Sequence, residues 1–331
     1  MLRIAIDAMS GDLGLRSSLS AAYAASTTDP SLAFTLVGDS DQISSVAPAA
    51  LLELETTKIV HANSVVLMDE KPSQALRHKR DSSMWMALEL LRHGKVDAVT
   101  SAGNTGALMA MGMFCLSNLP GIRRPAICGA IPAKHGHTYL LDLGANLECS
   151  ADDLYRFALM GSALVRCVDR LDSPRIGLLN VGGEAVKGTD SVRYAADLIN
   201  NDSGLNYVGF VEGDELFDDK VDVIVSDGFV GNVALKSCEG TARFLTASVT
   251  EAFGSGPYAR LVGMLAMPIL RKFHRGVDPH RYNGAVFLGL NGVVVKSHGN
   301  ANEAAFLRAI ETSAMAARYN LTNKLAALMS Q

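Results

Sequence analysis

Five times along this chain a short apolar run stops at a cluster of Gly, Ser, Asn and Asp and gives way to helical spacing, at 7–12, 101–106, 142–146, 182–190 and 226–232. A strand that hands over to a helix through so few small residues fits a βα unit. Repeated βα units fit a mostly parallel sheet covered by helices on both faces. The expected class is therefore α/β, with three α/β/α layers. In open sheets of this kind the loops at strand C-terminal ends face the ligand crevice, so the five clusters are expected to converge.

The sharpest of them is Ser101-Ala102-Gly103-Asn104-Thr105-Gly106, between the strand-like run 95–100 and the apolar helical run 107–114. A helix that opens here has first backbone N–H groups without intrahelical partners. Those donors and the positive end of the helix dipole favour an anion. Gly103 and Gly106 carry no Cβ and let an anion approach the backbone, while Asn104 and Thr105 add an amide and a hydroxyl. Two readings stand: an oxyanion site, most simply for phosphate, or a capped helix behind a tight turn.

The remaining chain reads in the same alternation. Strands are expected at 2–6, 33–38, 59–63, 126–131, 137–142, 175–181, 207–213 and 221–225, the last delivering 226–232 and a helix from Val233 onward. Asp7 and Asp12 follow the first strand. Asp7 suits a site, and Asp12 suits either a site or a helix cap. Cations at Lys71, Arg77, Lys79 and Arg80 lie on the approach to the 101–106 loop, and Arg123-Arg124 sits in a turn-rich break. They either steer an anion or form a solvated face.

With 331 residues, 48% of them hydrophobic and 19% charged, the chain suits one catalytic α/β unit over 1–331 with two lobes around a crevice. A net charge of -4 without a dense basic tract argues against an extended nucleic-acid surface. The five cysteines form no CxxC pair, which suggests neither zinc nor disulfides and fits a reducing, cytoplasmic setting. No G-x-G-x-x-G follows a strand. The run from Gly183 to Thr189 has phosphate-loop spacing but lacks the lysine after its second glycine. Neither H-E-x-x-H nor G-x-S-x-G is found. No metal or cofactor is expected.

The segment 254–280 fits a core poorly. It sets Leu261, Met264, Leu265, Ile269 and Phe273 beside Arg260, Arg271, Lys272 and Arg275, and Pro268 breaks it into two helical pieces. Apolar tips flanked by cations suit the interface of an anionic bilayer. A dimer contact or a lid over an acyl chain suits the same residues.

Taken together, the loops resemble those of the bacterial phosphate acyltransferase family (PlsX, acyl-ACP:phosphate transacylase). The matching runs are Ile6-Asp7-Ala8-Met9 with Gly11-Asp12, Ser101 to Ala107, Leu141-Asp142 with Gly144-Ala145-Asn146, Lys187-Gly188, Ser226 to Lys236 and Leu290 to Gly299. They span nearly the whole chain in order. Ser10, Leu15, Gly183 and Asn283 depart from the family pattern and bear on loop shape. The resemblance implies a fold related to isopropylmalate dehydrogenases and phosphotransacetylases. It implies attack of inorganic phosphate on a long-chain acyl-ACP thioester, giving acyl-phosphate and free acyl carrier protein for a glycerol-3-phosphate acyltransferase downstream. It also implies a homodimer held peripherally at the inner face of the cell membrane.

For that chemistry the phosphate seat is assigned to Gly103, Asn104, Thr105 and Gly106, with Asp7, Asp142 and Asn146 as further binding candidates. Lys187 is the candidate catalytic cation, and its alternative is a surface lysine in a Gly-rich loop. Asp227 and Asn232 orient partners, and His298 is either a general acid–base or a loop-capping donor. Arg77, Lys79, Arg80, Arg123 and Arg124 are candidate docking points for an acidic carrier protein. Cys238 raises a covalent acyl-cysteine route, against which phosphate is already a competent nucleophile. The competing functions are an acyl-CoA phosphotransacetylase, a metal- and NAD-dependent dehydrogenase on the related fold, and a non-catalytic membrane scaffold.

Overall fold

A computed structural model describes residues 1–329, with the side chains of Arg275, Val277, Pro279 and His280 left outside the description. In chain order the elements are β1 (Leu2–Asp7), α1 (Gly14–Thr28), β2 (Leu32–Gly38), α2 (Ser40–Val46), α3 (Ala49–Leu52), β3 (Thr57–His61), α4 (Pro72–His78), α5 (Ser83–Arg92), β4 (Ala98–Ser101) and α6 (Thr105–Leu116). Then follow β5 (Ala126–Ala133), β6 (Gly136–Leu141), α7 (Ala151–Val168), β7 (Arg175–Leu179), α8 (Asp190–Asn200), β8 (Asn206–Val211), β9 (Val223–Val225) and α9 (Gly228–Gly254). The chain ends through α10 (Pro257–Leu265), α11 (Met267–Val277), β10 (Ala285–Leu288), β11 (Val293–Lys296), α12 (Glu303–Arg318) and α13 (Leu321–Met329).

The strands form one eleven-stranded sheet in the order β3-β2-β1-β4-β11-β10-β5-β6-β9-β7-β8. Period-2 alternation splits its side chains cleanly between two faces. Ile4, Ile6, Phe34, Leu36, Val295, Leu141, Leu178 and Val225 point to one face, under α1, α7 and α12. Ala5, Val99, Val294, Phe287, Ile127, Leu140 and Ile224 point to the other, under α4, α5, α6 and α9. The three-layer expectation holds.

The direction of the strands is less uniform than the βα reading suggests. The flank β3-β2-β1-β4-β11 is parallel throughout, and so is β6-β9-β7-β8. Between them β10 pairs antiparallel with both β11 and β5, and β5 pairs antiparallel with β6. The two flanks therefore run in opposite directions. Registers place Lys296 beside Ala285, Cys128 beside Val286 and Cys128 beside Leu141. The C-terminal ends of β1, β4 and β11 thus fall within about one residue's rise of the C-terminal ends of β6 and β9, approached from the other side. Loops from the two flanks meet along this line, although the flanks are opposed.

Sequence reading did not anticipate β10 and β11 as strands. Both are four residues long and separated only by Gly289-Leu290-Asn291-Gly292. Short apolar runs of this kind carry little periodicity. Helix α9 also begins five residues earlier than expected, because Asp227 accepts from Val230 N at 2.8 Å and caps the helix there. Asp12 does not cap α1, which starts at Gly14 with Leu13 in the N-cap position and no side-chain cap.

Helix α10 packs on the far end of α9, where a Cβ on Gly263 would stand 3.1 Å from the Phe253 ring. The break between α10 and α11 falls at Ala266, with Pro268 in the first turn of α11. Among the described residues no helix is long and apolar enough to cross a membrane.

The inserted strand pair should be the part of the sheet most sensitive to truncation. Phe287 is 2% exposed and packs with Leu108, Met111, Ile127 and Val294. Phe287→Ala is expected to cost about 3–5 kcal/mol, read as a lowered urea midpoint with the denaturant slope unchanged.

Candidate active site

Asp7, Ser101 and Lys296 are register neighbours on β1, β4 and β11 and face the same side of the sheet. All three are buried. Ser101 Oγ donates to Asp7 Oδ2 at 2.6 Å, and Gly103 N donates to Ser101 Oγ at 3.1 Å. Ser10 Oγ donates to the Asp7 carbonyl at 2.7 Å and accepts from Ala102 N at 2.9 Å. Lys296 Nζ donates to the carbonyls of Ala102, at 3.2 Å, and Ser297. Asp7 Oδ1 is buried without a hydrogen-bond partner. Gly11, at φ +90°, passes so close to Ala102 and Gly299 that a Cβ would stand 2.9 Å from the Gly299 carbonyl oxygen. The loops after β1, β4 and β11 are thereby locked together.

Burial works against charge in this row. It pushes the Asp7 carboxyl up, against hydrogen bonds from serines and the nearby ammonium. It pulls Lys296 down to about 8, against the pull of Asp12 and Asp7. Both shifts favour the neutral forms.

The loops of the other flank are joined just as closely. Asp142 Oδ1 accepts from Ile127 N at 2.8 Å and Ala145 N at 3.2 Å, and Oδ2 accepts from Asn146 N at 2.7 Å and Asn146 Nδ2 at 3.0 Å. Asn146 Nδ2 also donates to the Pro125 carbonyl at 2.8 Å. The first turn of α9 lies directly on this loop. Gly228 N donates to the Asn146 carbonyl at 2.7 Å, and a Cβ on Gly231 would fall 2.0 Å from the Asp142 carbonyl oxygen.

Between the two groups of loops lies a cavity of about 140 Å³ whose polar lining is Thr105, Asn232, Lys236, Lys296, His298, Tyr282, Asn283 and Ser297. Thr105 and Gly106 open α6 beside it, and as its first residues their N–H groups have no i−4 carbonyl. Lys236 Nζ holds Glu239 Oε2 at 2.9 Å, and His298 Nε2 lies 3.7 Å from Glu239 Oε1. Asn283 fixes the next layer: its Oδ1 accepts from His298 N at 2.9 Å and its Nδ2 donates to Ser297 Oγ at 2.7 Å. A helix N-terminus, a hydroxyl, an imidazole and two lysines around one small hollow suit a small oxyanion.

The structure brings Thr105, Asn232 and His298 together on this cavity. Asn104 stands behind it: its Oδ1 caps α6 through Ala107 N at 3.0 Å, and its Nδ2 holds the carbonyls of Leu67, Met68 and Glu70. Asp7, Asp142, Asn146 and Asp227 likewise engage their side chains in shaping loops and caps. Lys187 is not on the cavity. It is exposed on the loop after β7, with Nζ 3.8 Å from Glu184 Oε2. Of the five polar clusters, four meet and the 182–190 loop stands apart.

Lys236, Lys296 and Glu239 received no site role from the sequence. Lys296 carried a usable signal: a lysine closing an all-valine strand, followed by Ser297-His298-Gly299, is costly to bury without purpose. Lys236 and Glu239 are three apart on α9 and look like an ordinary surface pair until the helix is placed.

Comparison with solved structures gives the class. The fold is that of phosphotransacetylases: the enzyme from Streptococcus pyogenes superposes with a TM-score of 0.63 at 14% identity, covering 96% of this chain and 94% of that one. The 4-hydroxythreonine-4-phosphate dehydrogenase of Klebsiella pneumoniae superposes with a TM-score of 0.54 at 13% identity, covering 96% and 98%. These identities speak for the fold alone. Sequence comparison is closer. The family profile described as fatty acid synthesis protein matches residues 2–324. The phosphate acyltransferase of Pseudomonas putida strain F1 is 50% identical over 326 residues, 97% of this chain and 96% of that protein. That of Dichelobacter nodosus is 48% identical over 325 residues, 97% and 93% of the two chains. The chain belongs to this family, the phosphate acyltransferases.

The buried lysine gives a pH test. Its folded value is about 8 against an ordinary 10.5. Below about 8 both folded and unfolded chains carry the proton, and the cost of burying the charge is present in full. As pH rises from 8 to 10.5 the folded lysine loses its proton first, so stability rises. Relative to Lys296→Met, the parent chain is expected to gain up to about 3 kcal/mol across this window, measured by urea unfolding at pH 7.5 and pH 10.5.

Proposed function

We propose that this protein transfers the acyl group of a long-chain acyl-ACP to inorganic phosphate, releasing acyl-phosphate and free carrier protein for phospholipid synthesis. The observation that carries the reading is the cavity at the α6 N-terminus, with Thr105, Asn232, Lys236, Lys296 and His298 on one wall system, in a chain 50% identical to a named phosphate acyltransferase. Phosphate seated there would be held by the Thr105 and Gly106 amides, the Thr105 hydroxyl and the lysines. A phosphate oxygen attacks the thioester carbonyl, the C–O bond forms, the C–S bond breaks and the carrier thiolate leaves. That thiolate needs little assistance, since an ordinary thiol ionises near pH ~8.5. Fixing the phosphate converts a bimolecular attack into a positioned one. In this reading His298, on the cavity wall and 3.7 Å from Glu239 Oε1, serves as the partner of a phosphate hydroxyl proton or of the oxyanion.

Direct attack is favoured over an acyl-cysteine. Burial pushes the Cys238 thiol up, which disfavours the thiolate a nucleophile requires. The two flanks of the sheet are the two lobes of this proposal, and the line where their loops meet is its crevice.

The test is phosphate-dependent release of carrier thiol from palmitoyl-ACP, with acetyl-CoA as the competing donor. Asn232→Ala and Lys236→Ala are each expected to lower kcat/KM about 100-fold, and Cys238→Ala to retain activity. Trapped acyl-enzyme together with an inactive Cys238→Ala would overturn direct attack. Faster turnover of acetyl-CoA would replace the donor, and nicotinamide reduction would replace the reaction. Lys187→Ala decides the remaining cation: a loss as large as at Lys236 brings its loop into the reaction, and none removes it.

We further propose that α10 and α11 rest on a membrane surface and that the chain works as a homodimer. Leu261, Met264, Leu265 and Ile269 are 58–78% exposed, and Arg260, Arg271 and Lys272 are exposed beside them. An apolar strip edged with cations suits anionic lipid. Leu261→Glu and Leu265→Glu are expected to reduce co-sedimentation with phosphatidylglycerol vesicles at least tenfold, with circular dichroism unchanged. Undiminished sedimentation of both variants would remove the membrane from the proposal.

A further inference from the structure

Beside the polar cavity lies a larger hollow of about 540 Å³, within the range of about 300–1,000 Å³ typical of ligand sites. The two share Ala130, Leu235, Tyr282 and His298 on their walls, so a molecule seated in one abuts the other. The character of the lining changes across that shared wall. On the far side the surface is mainly apolar, with Ile131 and its β5 neighbours, Phe217, and the α9 face carrying Leu235, Cys238, Ala242 and Leu245, and Lys134, Ser237 and Glu239 are its polar margin. Leu235 and Cys238 pack on the apolar cluster of Ile131, Leu140, Val211, Leu216 and Ile224. The hollow persists because α9 is lined with small residues here. Cys238 and Ala242 stand one helical turn apart, with Thr241 beside them. A large side chain at either position would fill the space.

We infer that this hollow receives the alkyl chain of the acyl group whose thioester carbonyl sits in the polar cavity. The inference rests on the phosphate-acyltransfer reading for the identity of the group at its head. At the tetrahedral carbon the acyl chain takes a direction of its own, apart from the phosphate oxygen, the oxyanion and the sulfur, and so needs a wall next to the phosphate seat but distinct from it. The shared wall at Ala130 and Leu235 is the place where apolar surface meets the polar cavity. Each methylene that moves from water into such a hollow strengthens binding about fourfold, so a long chain would be held here and a short one would not. The apolar strip on α10 and α11 is a separate surface and takes no part.

Cys238 on the wall provides a readout independent of turnover. Cys149, also half-buried but outside the hollow, is the internal control. In the parent chain, monomeric palmitate is expected to slow iodoacetamide alkylation of Cys238 at least fivefold, by peptide mass spectrometry. Butyrate should have no effect, and Cys149 should be unaffected by either. Ala242→Trp is expected to lower the ratio of kcat/KM for palmitoyl-ACP over butyryl-ACP at least tenfold. Equal alkylation of Cys238 with and without palmitate would overturn the inference, as would an unchanged ratio in a folded Ala242→Trp. So would a Cys238 shielded without palmitate and uncovered only on dilution to monomer, which would assign the hollow to a second copy of the chain. If the parent chain releases thiol from neither donor, the phosphate-acyltransfer reading fails, and the palmitate footprint alone then decides whether the hollow binds an alkyl chain.

Discussion

Strand β10 pairs antiparallel on both sides, with β11 and with β5, and the geometry of the site depends on that pairing. Those two pairings leave β5 running with β11; a third antiparallel pair, β5 with β6, reverses the sheet between its parallel flanks, and the three registers together set the stagger. A uniformly parallel sheet would bring all its loops to one edge. Here opposed flanks end near one line, so loops from β1, β4 and β11 meet loops from β6 and β9 face to face. The polar cavity lies between them, walled from two sides. Phe287 and Val294 anchor the inserted pair on one face of the sheet, with Val286, Leu288 and Val295 on the other.

Placing charge beside this junction has a cost that the structure meets by local bonding. Lys296 is 9% exposed and Asp7 1% exposed, and desolvation works against the charged form of each. Two backbone carbonyls hold the ammonium, and Ser101 holds one carboxylate oxygen. The lysine reaches the cavity wall from a strand, with its stem fixed in the sheet. A cation held on a strand keeps its position more closely than one on an exposed loop such as that of Lys187. The same economy appears at Asp142, whose two oxygens take four donors and leave the neighbouring α9 free to present Asn232 and Lys236.

Helix α9 connects the separate features of the molecule. Its first turn sits on the 142–146 loop, and its second to fourth carry Asn232, Lys236 and Glu239. Its middle lines the apolar hollow with small residues, and its far end supports α10. One helix thus runs from the polar cavity to the exposed apolar strip. Polar cavity, apolar hollow and exposed strip lie in that order along it.

The local grammar of the chain settled a great deal. Alternating apolar runs at Leu2–Ile6 and Val221–Val225, each closed by small polar residues, determined the three layers. Asn104 fixes where α6 begins, because a side-chain cap acts within four residues of itself, and Asp227 does the same for α9, although spacing alone pointed to Val233. Pro268 and the leucines of 254–280 determined two short helices with apolar tips. Which loops meet was decided only by tertiary structure. Register between Ser101 and Lys296, or between Cys128 and Leu141, arises from pairing of strands distant in sequence, and β10 and β11 are too short to announce themselves. Lys236 and Glu239 therefore read as a surface pair, and no spacing along the chain shows that Lys236 lines the polar cavity while Lys187 does not. Spacing along a chain fixes what each turn can bind, but strand pairing fixes which turns bind together.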